Sequence, residues 1–305
     1  KAEYVTDNDL IPRLKRCSFA TLSTSEADKA LAEIAERYPT LAVKARQYLA
    51  DIVSYSIRKE YPNEGYVLSL SGSLPKYKKG HIPAATEPKV VKALVKAIST
   101  YPTPVTRAAL RYAMYTALRP GIVVTAQWPE FDFELAEWQI PGERMKMDRP
   151  HIVPLPRQAL QILEEMRQYS GNQKYVFPPL ALQKTPHLNR DTLSKALRDL
   201  GFSRKHATHG FRAMLRTVAR ERLKIDMDTL EAQLAHAKKG DTSKAYDRTQ
   251  LLEERRVAMQ RWADYLDGLK DDRQVLLHLN ASHTDMKPFS QSPTFNLTIT
   301  RTPEK

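Results

Sequence analysis

Residues 121–155 have the sequence GIVVTAQWPEFDFELAEWQIPGERMKMDRPHIVPL, and this stretch decides the fold class. It contains short β-branched and aromatic runs separated by turn residues, which predict strands at 122–125, 131–133, 138–141 and 152–155. Outside it, apolar residues recur every three to four positions, which predicts helices at 26–61 (two, separated by Pro39), 90–98, 105–118, 158–169, 190–200, 209–223, 227–236 and 251–269. We therefore expect a mainly α protein with one small antiparallel β-sheet.

Composition divides the chain into two domains, a linker and a tail. We expect a helical domain at residues 1–70, a basic linker at 71–86, a second domain that carries the sheet at 87–271, and a tail at 272–305. The linker combines Gly, Ser and Pro with Lys76, Lys78, Lys79 and His81, a composition typical of an exposed segment. Its charge would allow it to lie along a phosphate backbone.

The tail has a strand-like pattern of its own. Phe295, Leu297 and Ile299 alternate with Asn and Thr, which predicts an edge strand. Because such a strand would leave an apolar face in water, we expect it to dock on a sheet edge, either in the same chain or in a neighbouring protomer. A disordered end is the alternative.

Charge points to a polyanionic partner. Within 305 residues, 48 Lys and Arg against 35 Asp and Glu give a net charge of +13, which favours nucleic acid but leaves RNA and membrane surfaces open. No apolar run is long enough to cross a membrane and no leader precedes the first helix. The single cysteine, Cys17, fits a reducing cytoplasm. The chain opens on Lys1, so we expect a fragment of a longer protein.

Three short motifs carry the residues with a chemical role. They are Thr208-His209-Gly210-Phe211-Arg212, Gln233-Leu234-Ala235-His236 and Ala245-Tyr246-Asp247-Arg248, with Arg119 and Lys146 upstream. Arginine and histidine donors can hold a phosphate diester while a tyrosine hydroxyl attacks it. Taken singly, each residue also fits an ordinary surface or packing position, and Arg216 fits either a surface charge or a phosphate contact. No CxxC, HExxH or phosphate-binding glycine loop occurs, so we expect no metal and no nucleotide cofactor.

Together and in this order, the motifs resemble those of the tyrosine recombinase (phage integrase) family, in particular integrases of genomic islands and prophages. The resemblance covers nearly all of residues 87–270. Besides the three motifs, the matching stretches are Thr116-Ala117-Leu118-Arg119-Pro120-Gly121, Trp138-Gln139-Ile140-Pro141-Gly142-Glu143-Arg144-Met145-Lys146, His151-Ile152-Val153-Pro154-Leu155, Tyr175-Val176-Phe177-Pro178 and Trp262-Ala263-Asp264-Tyr265-Leu266. The resemblance implies a helical core-binding domain before the linker and a catalytic domain after it.

The resemblance also implies a role for each catalytic residue. Arg119 and Arg212 would clamp the scissile phosphate, and Tyr246 would attack it to give a 3′-phosphotyrosyl bond. Lys146 would protonate the leaving 5′ oxygen. His209 would assist proton transfer at the tyrosine, and His236 would donate a hydrogen bond to the phosphate. The family needs no cofactor for this chemistry.

The implied substrate is double-stranded DNA at attachment sites. The family acts as a homotetramer on DNA, through a Holliday junction, to integrate or excise a mobile element in the bacterial cytoplasm. Accessory DNA-bending and directionality proteins are possible partners. The candidate DNA contacts are Lys76, Lys78, Lys79, His81 and Arg216.

One position departs from the family pattern, and two other functions stay open. The family usually has an acidic residue three positions after the first arginine, where this chain has Ile122, so the local support of the site is in question. A type IB topoisomerase uses a similar residue set, but it would relax plasmid DNA without joining two sites. A DNA-binding module without catalysis would bury Tyr246 far from Arg119.

Overall fold

The computed structural model describes residues 2–15, 17–18, 21–61, 68–74, 80–145, 148–181, 184–236 and 251–271. Contacts between Cα atoms divide the chain into two compact units, Lys1–His81 and Ile82–Lys305. The division falls inside the predicted linker of residues 71–86. The predicted site residues that lie outside the described ranges are Lys76, Lys78, Lys79, Lys146 and Tyr246, and the predicted tail strand lies outside them as well.

The first unit is helical. Its elements are α1 (Ala2–Val5), a π-helical turn (Thr6–Leu10), α2 (Ile11–Leu14), α3 (Thr24–Arg37) and α4 (Pro39–Arg58). Ser23 and Glu26 form a reciprocal capping box at the start of α3, and Pro39 occupies the first turn of α4. The two helices predicted on either side of Pro39 are thus confirmed. Their apolar faces share a core that includes Leu31, Ile34 and Leu49.

The second unit is mostly helical with a small sheet. Its helices are α5 (Pro88–Ser99), α6 (Pro104–Thr116), α7 (Pro120–Val124), α8 (Arg157–Ser170), α9 (Arg190–Asp199), α10 (Gly210–Met214), a π-helical turn (Leu215–Ala219), α11 (Arg220–Leu223), α12 (Met227–Gln233) and α13 (Leu252–Lys270), with 3-10 turns at Trp128–Glu130 and Gly142–Arg144. The strands β1 (Phe131–Asp132), β2 (Glu137–Ile140) and β3 (His151–Pro154) pair antiparallel in sequence order. The expected fold class, mainly α with one small antiparallel sheet, is confirmed.

Helix α6 runs through the core of this unit and is buried along most of its length. Tyr112 lies between Trp138 of β2 and Phe177, with ring centroids 5.7 and 5.8 Å away. On α13, the indole Nε1 of Trp262 donates to the carbonyl oxygen of Met114 at 3.1 Å. These large buried side chains join the sheet and α13 to α6, because each aromatic ring removes a large apolar area from water.

The strand predicted at 122–125 is wrong, because these residues belong largely to helix α7. Pro120 occupies the first turn of α7, where its fixed φ angle favours a helix and its missing N–H costs no hydrogen bond. The N–H groups of Ile122 and Val123 both donate to the carbonyl oxygen of Arg119, at 2.9 and 3.1 Å. A helix start therefore overrides the β-branched run, and it places Arg119 at the N-cap of α7.

Within the described ranges, none of the helices has the length and apolar character that a membrane crossing requires.

Candidate active site

Arg119 lies where the chain turns from α6 into α7. Helix α6 ends with Ala117 in the left-handed conformation (φ 52°), and Arg119 is extended (φ −62°, ψ 135°). Its side chain lines a cleft of about 550 Å³ together with Arg144, Ser194, Thr208 and His209. The side chain of Arg119 has no hydrogen-bond or ion-pair partner in the part of the chain that the structure describes. Its guanidinium group is thus available to an anion that enters the cleft.

Arg212 is buried on α10, with 4% of its surface exposed. Its Nη1 donates to the carbonyl oxygen of Ala117 at 3.1 Å, and its Nη2 donates to that of Leu234 at 2.5 Å and contacts Nε2 of His236 at 2.8 Å. Burial, together with the nearby charge of Arg119, lowers the pKa of Arg212 to about 10. The group therefore stays charged at neutral pH although its direct partners are uncharged.

His209 directly precedes α10, one turn before Arg212. Partial burial lowers the pKa of His209, and the charges of Arg212 and Arg119 lower it further. The ring is therefore neutral at pH 7 and can accept a proton. A neutral histidine beside two arginines can act as a general base without opposing an incoming phosphate.

Residues 83–85 pack closely against the turn that carries His209. The N–H of Ala207 donates to the carbonyl oxygen of Pro83 at 3.0 Å, and the N–H of Ala85 donates to Nδ1 of buried His206 at 3.0 Å. A Cβ atom at Gly210 would clash with the carbonyl oxygen of Pro83, so only glycine allows this approach. The segment thus holds the start of α10 in place.

His236 reaches Arg212 because the chain reverses after α12. Ala235 adopts a positive φ of 48°, and the N–H of His236 then donates to the carbonyl oxygen of Glu231 at 3.1 Å. In this turn, Nδ1 of His236 lies 2.5 Å from Oε2 of Glu231. The other carboxylate oxygen of Glu231 accepts from Nε of Arg216 at 2.5 Å. A chain of contacts therefore runs from Arg216 through Glu231 and His236 to Arg212.

A buried arginine joins α13 to the same region. Arg255 is 1% exposed, and its guanidinium group donates to Oε1 of Gln233 and to the carbonyl oxygen of Ile152 on β3. Gln233 in turn donates to the carbonyl oxygen of Thr116 at the end of α6, at 3.1 Å. Burial lowers the pKa of Arg255 to about 10. These bonds position the start of α13, the first helix after the Tyr246 motif.

Arg144 joins the turn after β2 to the helix that begins at Arg119. Its Nη1 contacts both carboxylate oxygens of Glu130, and its Nη2 donates to Oγ1 of Thr125 at 2.6 Å and to the carbonyl oxygen of Ile122 at 3.2 Å. Both charged side chains of this ion pair are largely buried. The backbone of Ile122, where an acidic side chain was expected, thus accepts a hydrogen bond from an arginine that Glu130 neutralises.

A model of the phage integrase family matches residues 85–252, more than half of the chain. The chain belongs to the phage integrase family. It is 32% identical over 242 residues to the integrase of Enterobacteria phage P4, and this match covers 74% of the present chain and 55% of the phage protein. It is 38% identical over 175 residues to prophage integrase IntA of Escherichia coli strain K12, and this match covers 57% of the present chain and 42% of IntA. The chain spans about half the length of these two curated relatives.

The fold of this phage integrase family member is also similar to that of a solved structure. It matches a chain in the crystal structure of a lambda integrase tetramer bound to a Holliday junction, with a TM-score of 0.57. The match covers 78% of this protein and 73% of the lambda integrase chain. The sequence identity is 14%, so the likeness concerns the fold.

In this family member, the structure brings Arg119, His209, Arg212 and His236 together, and their catalytic roles stay predictions. Lys146 and Tyr246 lie outside the described residues. Among the predicted DNA contacts, His81 is exposed and Arg216 is half exposed and paired with Glu231. Sequence reasoning missed Glu231, because its five-residue separation from His236 matches no helical face.

Proposed function

We propose that this chain is the core-binding and catalytic part of a site-specific DNA recombinase. It cuts and rejoins DNA strands through a 3′-phosphotyrosyl intermediate and a Holliday junction. The observation that supports this function is that Arg119 and a neutral His209 line one cleft, and that Arg212 lies near enough to both for its charge to lower the pKa of His209. Neither arginine has an ion-pair partner among the described residues, so a phosphate diester would supply the missing negative charge.

The cleavage step follows from these groups. Arg119 and Arg212 bind the non-bridging oxygens of the scissile phosphate and stabilise the negative charge that grows on them in the transition state. The hydroxyl oxygen of Tyr246 attacks phosphorus while His209 accepts its proton. The bond from phosphorus to the 5′ oxygen breaks, and Lys146 protonates that oxygen as it leaves. Each cleavage produces one phosphotyrosyl bond and one 5′-hydroxyl group.

Rejoining is the reverse of the same step. A 5′-hydroxyl from the partner duplex attacks the phosphotyrosyl bond and releases Tyr246. Because the energy of the diester bond is retained in the covalent intermediate, the proposed chemistry requires neither a metal nor a nucleotide. Exchange of one strand pair produces the Holliday junction, and exchange of the second pair completes recombination.

Each part of the chain has its own role in this function. Residues 1–70 bind the core of the attachment site, the basic linker at 71–86 follows the phosphate backbone, residues 87–271 catalyse, and the tail at 272–305 docks within or between protomers. The working assembly is a homotetramer on two DNA duplexes in the bacterial cytoplasm, assisted by DNA-bending and directionality proteins. The names of the two phage and prophage relatives support integration or excision of a mobile element as the outcome.

Replacement of the nucleophile tests this function. On a nicked suicide substrate that carries an attachment core, the parent protein should form a covalent adduct, and Tyr246→Phe should form none, because the attacking oxygen is absent. DNA affinity should change by less than about two-fold, since a tyrosine hydroxyl supplies little of the electrostatic binding energy. Denaturing gel electrophoresis and peptide mapping of the adduct measure the outcome.

Tyr169→Phe is the matched control, because Tyr169 lies exposed on α8, and this variant should form the adduct normally. An adduct on any other tyrosine would contradict the assignment. Products that join two attachment sites, rather than relaxed plasmid alone, would distinguish recombination from topoisomerase activity.

A further inference from the structure

His236 is held in one tautomer in the absence of DNA. Its Nδ1 lies 2.5 Å from Oε2 of Glu231, and its Nε2 lies 2.8 Å from Nη2 of Arg212. A guanidinium nitrogen can only donate and a carboxylate oxygen can only accept. The ring is therefore neutral, with its proton on Nδ1, and Nε2 accepts from Arg212.

This arrangement has to change when a phosphate binds. A phosphate oxygen is a stronger acceptor for Arg212 than a neutral imidazole, because the bond gains assistance from both charges. Once Arg212 donates to the phosphate, the lone pair of Nε2 on His236 faces an anion instead of a donor. The contact becomes favourable only if Nε2 takes up a proton and donates it to the phosphate.

We propose that Glu231 is a positioning residue that makes this proton uptake possible: it keeps the proton of His236 on Nδ1 and stabilises the doubly protonated ring that donates from Nε2 to the scissile phosphate. This inference rests on the function proposed above. Glu231 lies outside the recognised motifs, and it would control the protonation state of His236.

The charges around His236 make a counter-charge necessary. Arg212 on α10, Arg216 on the π-helical turn and Arg119 at the cleft all oppose a positive charge on the ring. The other titratable group here is His209, which is neutral, and on α13 Arg255 contacts the neighbouring Gln233. Among the described residues, Glu231 is the carboxylate that contacts His236. The bound phosphate would supply the second negative charge.

Arg216 keeps Glu231 ionised and oriented. Its Nε donates to Oε1 of Glu231 at 2.5 Å, so Oε2 is directed at His236. Burial acts to raise the pKa of Glu231, but the hydrogen bonds from Arg216 and His236 outweigh it, and the pKa is lowered overall. Glu231 thus stays negative across the pH range in which a histidine titrates.

Single-turnover cleavage of the nicked suicide substrate, measured from about pH 6 to about pH 9, tests the inference. Donation from Nε2 requires the doubly protonated ring, so the rate should fall at high pH. In Glu231→Gln the fall should begin at lower pH than in the parent, because removal of a contacting negative charge disfavours the cationic ring. Cleavage at about pH 8 should then fall about ten-fold, while the rates of the two proteins converge at low pH.

Glu221→Gln is the matched control, because Glu221 is an exposed carboxylate on α11, and its pH profile should match that of the parent. Convergence at low pH shows that the Glu231 variant is folded. A loss of rate that is equal at every pH would mean that Glu231 only supports the fold, and an unshifted profile would mean that it has no role. Either result overturns the inference.

The ¹⁵N chemical shifts of the His236 ring in the DNA-free protein provide a readout that needs no catalysis. The parent protein should show a neutral ring protonated on Nδ1, and Glu231→Gln should lose this preference. A parent ring protonated on Nε2 would overturn the inference. A parent protein that binds the DNA but never forms an adduct would instead contradict the proposed function, so the two failures are distinguishable.

Discussion

At the scale of single residues, the centre of the site is a buried arginine with uncharged partners. Arg212 donates to two backbone carbonyl oxygens, of Ala117 and Leu234, and contacts a neutral ring. Burying a charge without a counter-ion is costly, and the proximity of Arg119 adds repulsion. The two backbone carbonyls fix the direction of the guanidinium group, so a bound phosphate would replace only its contact with His236. This preorganisation is what an oxyanion ligand requires.

The first prediction at this scale concerns Arg212. Arg212→Ala should reduce the single-turnover cleavage rate by about 10²–10³, the typical cost of losing one preorganised donor, while DNA affinity changes little. Arg212→Lys should not restore the rate, because an ammonium group cannot satisfy both carbonyl oxygens and the phosphate in the same planar geometry. Arg222→Ala, at an exposed position on α11, is the control and should cleave normally. A variant at Arg212 that loses affinity as steeply as rate would contradict a role in the transition state.

At the scale of secondary-structure elements, the turn after β2 is bonded to helix α7. Arg144 contacts Glu130, Thr125 and the carbonyl oxygen of Ile122. Glu130 also accepts from the indole Nε1 of Trp138 at 2.9 Å, so the ion pair is connected to the core of β2. Because α7 begins at Arg119 and the turn leads to Lys146, this ion pair connects the proposed phosphate clamp to the segment of the proposed general acid.

The second prediction concerns this connection. Arg144→Met should reduce cleavage by about ten-fold or more, because the general acid would be less well placed and acid catalysis contributes about 10²–10⁴ in rate. The loss should largely disappear on a substrate with sulfur at the bridging 5′ position, since a thiolate leaves without a proton. Rate measurements on both substrates test this expectation.

Arg119→Ala is the comparison for this experiment. It removes a phosphate ligand, so its defect should persist on the sulfur substrate. If the sulfur substrate fails to rescue Arg144→Met but rescues Lys146→Ala, then Arg144 does not act through the leaving group.

At the scale of the whole molecule, binding and chemistry are assigned to different parts of the chain. Of the net charge of +13, residues 1–81 carry +3 and residues 82–305 carry +10, and the predicted linker contributes Lys76, Lys78 and Lys79 to the first share. The cleft lined by Arg119 and His209 lies in the second unit, as does Arg212. Non-specific affinity for DNA depends on the number of neutralised phosphates, whereas the cleavage rate depends on a few fixed donors.

The third prediction separates these two contributions. Replacing Lys76, Lys78 and Lys79 together with Gln should weaken DNA binding and reduce the salt dependence of log K by about one unit for each phosphate that is no longer neutralised. The cleavage rate at saturating DNA should change little. Replacing the same three residues with Arg preserves the charge and should preserve the salt dependence. Normal binding by the Gln variant at every salt concentration would show that the linker does not follow the backbone.

The sequence by itself determined the fold class and which residues lie together at the centre of the candidate site. Helical and strand periodicity depend on residues close together in the chain, so α3, α4 and the three strands were predictable. The helix at Pro120–Val124 was predicted wrongly as a strand, because Pro120 and the packing of α7 outweighed local β propensity. The motifs marked Arg119, His209, Arg212 and His236, which the fold brings together.

Only the tertiary structure decided which charges are buried and what they contact. Arg255 follows two glutamates in a charged run that resembles an exposed face, yet it is buried against Gln233 and Ile152. Glu231 meets His236 because one residue with positive φ reverses the chain. Such contacts depend on what distant segments bring to the same place, and neither spacing nor composition contains that information.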